Sequence, residues 1–279
     1  MPIRSTEHPV LYRAAVARHR LRRYAQWVTT PTAQRRSVEA TSFVHRVTRH
    51  KSVLLRKLGD ADMRLQQNKV TNLKLAAAKI DRVIIRPGET FSVWRLVGKP
   101  TARKGYVTGL LLSDGEVKEG IGGGLCQMAN LLYWMALHTP LTITERNHHS
   151  FDAFPDSGRV LPFGSGATLF YNYMDLQFRN DTEATFELRV WVDGEFLQGE
   201  IRSNVLPTET YSIIERDHRF LFDERDGNYY RENKIFRQTR KRETGEAIDE
   251  KLVCANHSLM KYLPPESATV QRVSAVSSK

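Results

Sequence analysis

No window of eighteen consecutive apolar residues occurs anywhere in the chain, so nothing in it reads as a membrane-spanning helix. Cysteine is scarce: Cys126 and Cys254 stand 128 positions apart, which is no disulfide framework and fits a reducing compartment. The opening MPIRSTEHPVLYRAAVARHRLRRY is basic, yet it has no apolar central stretch and no small-residue cleavage site, so it does not read as a secretory signal. The expected place is therefore the cytoplasm. Internal repeats are missing too. GIGGG (120–124) lacks the Lys-Ser/Thr of a Walker loop and the spacing of a dinucleotide fingerprint. Cys254 and His257 have metal-like local spacing, but no second pair accompanies them, and neither a metal nor a cofactor is expected.

What is present is an uneven charge. The net +11 lies wholly in residues 1–70, where 15 Lys+Arg face 4 Asp+Glu; the remainder balances at 27 against 27. Such asymmetry points to an anionic partner. Leu11, Ala15, Leu21, Tyr24 and Trp27-Val28 recur among arginines at near-helical spacing, as in a basic amphipathic helix lying on a membrane surface. The commoner alternative is a solvated helix whose apolar side packs on the body. Nucleic acid is not expected, because few aromatics are interleaved and no reading motif appears. The basic run at 237–246 is most simply a solvated hairpin tip.

Hydrophobic periodicity predicts helices at 9–28, about 36–58 and 61–80, the last with Met63, Val70, Leu73, Ala77 and Ile80 on one stripe. Short strands flank turns at Pro87-Gly88 and Asp114-Gly115. A central helix follows the glycines, at about 125–138, and Pro140 bars its continuation. LTITER (141–146) is a strand, and FDAFPDSGRVLPFGSGA (151–167) is a long loop packed by Phe151, Phe154 and Phe163. Later strands include a hairpin at Asp193-Gly194, expected to turn as type I′. The fold class is α+β: basic N-terminal helices, then a mostly antiparallel sheet packed on the central helix. The expected organisation is a basic helical region at 1–60, an α+β domain at 61–262 and a disordered tail at 263–279.

Cys126 opens the central helix behind Gly122, Gly123 and Gly124. There the unpaired N–H groups and the helix dipole favour a thiolate, and glycines let a ligand approach the backbone. A nucleophilic thiol also needs a base with an orienting partner. His148-His149 supplies the base, with His149 preferred; Asp152, Asp156 and Asp175 are the candidate orienters. Asp175 interrupts the apolar strand FYNYMDLQF, where a carboxylate is costly unless paired. Against this stands the plain alternative of a buried core cysteine behind a tight turn.

RPGETFSVWRLVG (86–98), GGGLCQMANLLYWMAL (122–137), the stretch from LTITERNHHS through to FRND (141–181) and, more loosely, YYRENKIFRQ (229–238) resemble the VanW family. The resemblance covers about residues 65–262 and implies a link to the cell envelope and glycopeptide resistance, with no agreed activity. Carried over by position, its motif residues are Gly122, Gly123, Gly124, Cys126, Gln127, Arg146, His149, Ser150 and Asp175.

Two functions compete. In one, Cys126 attacks an amide carbonyl, His149 moves the proton, Asp175 fixes the ring, and Gln127 or loop N–H groups hold the oxyanion. That is the chain order of transglutaminase-like enzymes, an analogy only. In the other, the glycine loop, Gln127, Arg146 and Ser150 bind an anionic ligand such as a peptidoglycan precursor or other peptide carboxylate, with no catalysis.

Overall fold

The computed structural model describes residues 9–36, 42–55, 62–113, 116–148, 151–153, 155 and 160–273. The N-terminal part comprises α1 (Pro9–Thr29), β1 (Gln34–Arg35), β2 (His45–Val53), α2 (Met63–Ile80), β3 (Val83–Ile85), β4 (Thr90–Ser92) and α3 (Val93–Val97). The hairpin β5 (Thr108–Ser113) and β6 (Glu116–Ile121) leads into α4 (Cys126–Leu137), β7 (Thr142–Glu145) and β8 (Phe151–Asp152). Then come β9 (Gln177–Arg179), β10 (Phe186–Asp193), β11 (Phe196–Ser203), β12 (Glu209–Asp223), β13 (Asn228–Lys241), β14 (Ala247–Met260) and β15 (Val270–Val273). Helices and largely antiparallel sheets in this segregated order make the fold α+β, as expected.

The core lies between two helices and the sheet β1-β3-β10-β11-β2. Alternation along β10 and β11 turns Phe186, Leu188, Val190, Leu197 and Ile201 inward, where all are buried. α4 carries apolar side chains nearly all round, and Met128, Leu131, Leu132 and Met135 are fully enclosed. It presses so closely on β11 that a Cβ at Gly199 would stand 2.6 Å from Met135 Cε. A second sheet, β15-β12-β13-β14-β8, is built from long hairpins, and β4-β9-β7 form a small third sheet.

Four local expectations are corrected. Residues 45–53 form β2, not a helix: Val47, Thr48 and Val53 favour the extended chain, and β2 pairs with β11 through eight positions. Residues 270–273 form β15, parallel to β12, inside the stretch expected to be disordered. On α2, Met63 is exposed, whereas polar Gln66, Lys69 and Asn72 are buried. In the β10–β11 turn only Gly194 has positive φ (54°), the pattern of type II′ and not I′. The Asp114-Gly115 turn and Phe154 lie outside the described residues, whereas Phe163 is buried and anchors the long loop.

Candidate functional site

The glycine loop that leads to Cys126 owes its composition to crowding by its own chain. A Cβ on Gly123 would lie 2.1 Å from the Gly109 carbonyl carbon, backbone against backbone across to β5. Gly122 and Gly124 have φ of 81° and 91°, and a Cβ there would collide with Pro100 and with the Lys69 stem. Asn72, fully buried on α2, locks the arrangement. Its amide donates to the carbonyls of Gly123 (2.9 Å) and Val107 (3.0 Å), and its oxygen accepts from Val107 N–H (2.9 Å). What approaches these glycines in the structure is β5, α2 and Pro100.

Cys126 is the first residue of α4 and borders a cleft of about 650 Å³. One wall is β2 (His50, Lys51, Ser52, Val53) and another is Asn130 of α4 with the segment 160–168. His148, Phe151, Asp152, Phe196 and Ser258 complete it. The residue is half-buried. Burial pushes the thiol above its usual value, and hydrogen bonds from the Leu169 backbone N–H and from its own N–H offset only part of that rise. The helix N-terminus therefore does not leave a strongly ionised sulfur here.

Asp175 is fully buried and does not border the cleft. One carboxylate oxygen accepts from the backbone N–H of Trp94 (3.1 Å) and Leu176 (2.9 Å); the other accepts from Ser92 Oγ (2.5 Å) and Gln177 Nε2 (3.1 Å). Burial, with the nearby Glu145 carboxylate adding to it, pushes Asp175 up to about 6 despite these bonds. Its backbone N–H donates to Glu145, which in turn receives a two-pronged guanidinium from Arg23 of α1 at 2.5 and 2.6 Å. Trp27 Nε1 donates to Ser92 Oγ, and Gln26 donates to Gln177. The buried polar cluster around Asp175 thus fastens the second half of α1 to β4, β7 and β9.

The remaining expected residues divide similarly. Arg146 donates Nε to the Gly166 carbonyl (2.9 Å) and Nη2 to the Gly164 carbonyl, with its guanidinium 5.0 Å from the Tyr133 ring centre. It holds the 163–168 segment that forms the cleft rim. Gln127 gives its amide to Ser52 Oγ (2.9 Å) and the Val53 carbonyl (2.7 Å), binding α4 to β2. His149, Ser150 and Asp156 lie outside the described residues. Asp152 is buried against Arg231 (3.3 Å) and the Tyr262 hydroxyl (2.6 Å). His257 meets Glu232 at 2.7 Å and stacks on Tyr230. Among the described residues no group of three or more His, Cys, Asp or Glu is placed to hold a metal.

The cleft residues that sequence reasoning missed include His50, Lys51, Ser52, Asn130, Thr168, Phe196 and Ser258. Reading 36–58 as a helix hid the first three. The β-branched residues in HRVTRHKSV were the available signal. Burial and repulsion from His138 keep the His50 ring below its usual value, while Lys51 is exposed, its ammonium 4.4 Å from the Phe196 ring centre.

A family model described as "VanW like protein" matches residues 68–202, from α2 to β11. The Vancomycin B-type resistance protein VanW of Enterococcus faecalis (strain ATCC 700802 / V583) is 39% identical over 210 residues, covering 75% of this chain and 76% of that protein. The chain belongs to the VanW family. The matched span contains the glycine loop, Cys126, Arg146 and the cleft rim, and it leaves out α1 and the long hairpins β12–β14. An uncharacterized protein, YoaR of Bacillus subtilis (strain 168), is 35% identical over 109 residues, 39% of this VanW-family chain and 34% of its own length. No solved structure matches the chain.

Proposed function

We propose that this VanW-family protein is a non-catalytic binding protein of the cell-envelope and glycopeptide-resistance machinery. In this reading its cleft captures a peptide bearing a free carboxylate, such as a peptidoglycan-derived stem peptide. The observation that carries the reading is the cleft itself. Cationic Lys51 and the rings of His50 and His148 line it with Asn130, Ser52 and Thr168, between the aromatic walls of Phe151, Phe163 and Phe196. The acid in the lining, Asp152, is already neutralised by Arg231. Apolar walls with a few convergent polar groups suit a small ligand, and the surplus cation suits an anionic one. The two free thiols are in keeping with a cytoplasmic place, where precursor peptides would be the ligand.

The cysteine-enzyme reading has one observation in its favour: Cys126 and His148 border the same cleft. Against it stand the upward-shifted thiol and the engagement of Asp175 away from the cleft. Calorimetry with a stem peptide as free acid and as C-terminal amide separates the two. The free acid should bind about tenfold or more tightly, the value of one charge-assisted hydrogen bond. Lys51→Gln should erase that difference, and Cys126→Ser should leave affinity within about twofold. Equal affinity for acid and amide refutes the carboxylate assignment. Peptide turnover that Cys126→Ser abolishes would replace it with the enzyme.

A further inference from the structure

α1 docks on the body through one face only. Arg23 and Trp27 are buried, and Gln26 reaches back to Gln177. Tyr24 borders the docked face, its hydroxyl 3.4 Å from that of Tyr171 and its ring edge-on to Trp27. A different face carries Val10, Ala14, Ala17, Leu21, Ala25 and Val28, at spacings of three and four, so they form one stripe along the whole helix. Every one of them is exposed, Leu21 at 69% and Val28 at 84%. On the helical wheel Arg13 and Arg20 flank the stripe on one side and Arg18 and Arg22 on the other. Residues 8–38 contain no acidic residue.

We infer that α1 is an interfacial helix that seats the protein on an anionic lipid surface, the stripe entering the headgroup boundary and the four flanking arginines meeting lipid phosphates. This goes beyond the cleft reading and does not depend on it. The choice of occupant follows from the charge. A globular partner would have to cover a narrow stripe, mostly of alanine and valine, hemmed by four like charges. Anionic headgroups supply the opposite charge all along both flanks. The stripe's apolar area is small, so it should not hold a neutral bilayer by itself. Docking by the opposite face leaves the body standing off the membrane without unfolding α1.

The test is flotation of the full-length protein with vesicles of phosphatidylcholine alone or with one-third phosphatidylglycerol. Binding should require the anionic lipid and weaken with added salt. Each arginine replaced by glutamine at 13, 18, 20 or 22 should lower partitioning about fivefold. Leu21→Glu should abolish it; because Leu21 touches solvent, that variant should keep the wild-type circular dichroism and melting curve. Equal binding to neutral vesicles, no flotation on anionic ones, or flotation that survives Leu21→Glu overturns the inference. So does a dimer in sedimentation without vesicles that Leu21→Glu dissolves, since the stripe would then belong to a second copy.

Discussion

Replacing Gly123 by alanine tests whether the glycine loop is packed or is held open for a ligand. Its φ is not in the left-handed region, so alanine suffers no backbone strain there and the whole effect is steric. The new methyl would stand 2.1 Å from the Gly109 carbonyl carbon, 2.3 Å from its oxygen and 2.6 Å from Leu110 N, where ordinary contact begins near 3.4 Å. All three are backbone atoms, so no side chain can swing aside. The β5–β6 hairpin must retreat by more than an ångström, pulling Val107 and the Gly123 carbonyl off Asn72. Overpacking of this kind costs about 3 kcal/mol, at the upper end of the usual range, before any lost hydrogen bond is counted. That corresponds to a fall in melting temperature of roughly 6–12 °C for a domain of this size. Gly88→Ala is the control: it has positive φ but open space, and should lose only about 1 kcal/mol. Differential scanning calorimetry reads both. A Gly123→Ala protein that melts with the wild type but no longer binds peptide would refute the packing account and return the glycines to the ligand.

Other expectations concern the thiol and the buried network. In a Cys254→Ser background, the rate of iodoacetamide labelling of Cys126 should climb with pH past about 8.5 with no plateau below it; a plateau near pH 6 would mark an activated thiolate. Arg23→Ala should cost about 2 kcal/mol, because it leaves Glu145 half-buried without its fork, and should make the chain near Thr29 more sensitive to trypsin in limited proteolysis. Asp175 titrates near 6 when folded and near 4 when unfolded, so the folded state holds its proton more tightly. The associated stability is present below pH 4 and is lost as pH rises through 6, by about 3 kcal/mol. Urea melts of wild type and Asp175→Asn between pH 4 and 7 should therefore converge toward pH 4 in a way that follows this one group; parallel curves would show that Asp175 is not shifted.

The fold was legible where side-chain pattern and pairing agree. Phe186–Ser203 alternates around a glycine turn, α4 is apolar nearly throughout, and Pro140 follows its end; each of these local signals matches the observed element. Residues 45–53 were misread because β2 is a cationic strand whose extended form depends on β11, a partner about 150 residues away. The same distance hid one wall of the cleft. Asp175 was recognised as a carboxylate that needs partners, but Ser92 and Trp94, which bind it, and Arg23, which meets the neighbouring Glu145, come from elements far off in sequence. The chemistry of a group is local and its neighbours are not, so Cys126 could be placed on a helix start but not weighed for burial.

The Arg23 fork joins two places that have otherwise been described apart. It grips Glu145, the last residue of β7, and three residues further along the chain His148 reaches the cleft. One ion pair and three residues of backbone thus separate the basic helix from the cleft wall. A change made at Arg23 on the outer helix should therefore be readable at His148 in the cleft wall, although the two residues stand 125 positions apart.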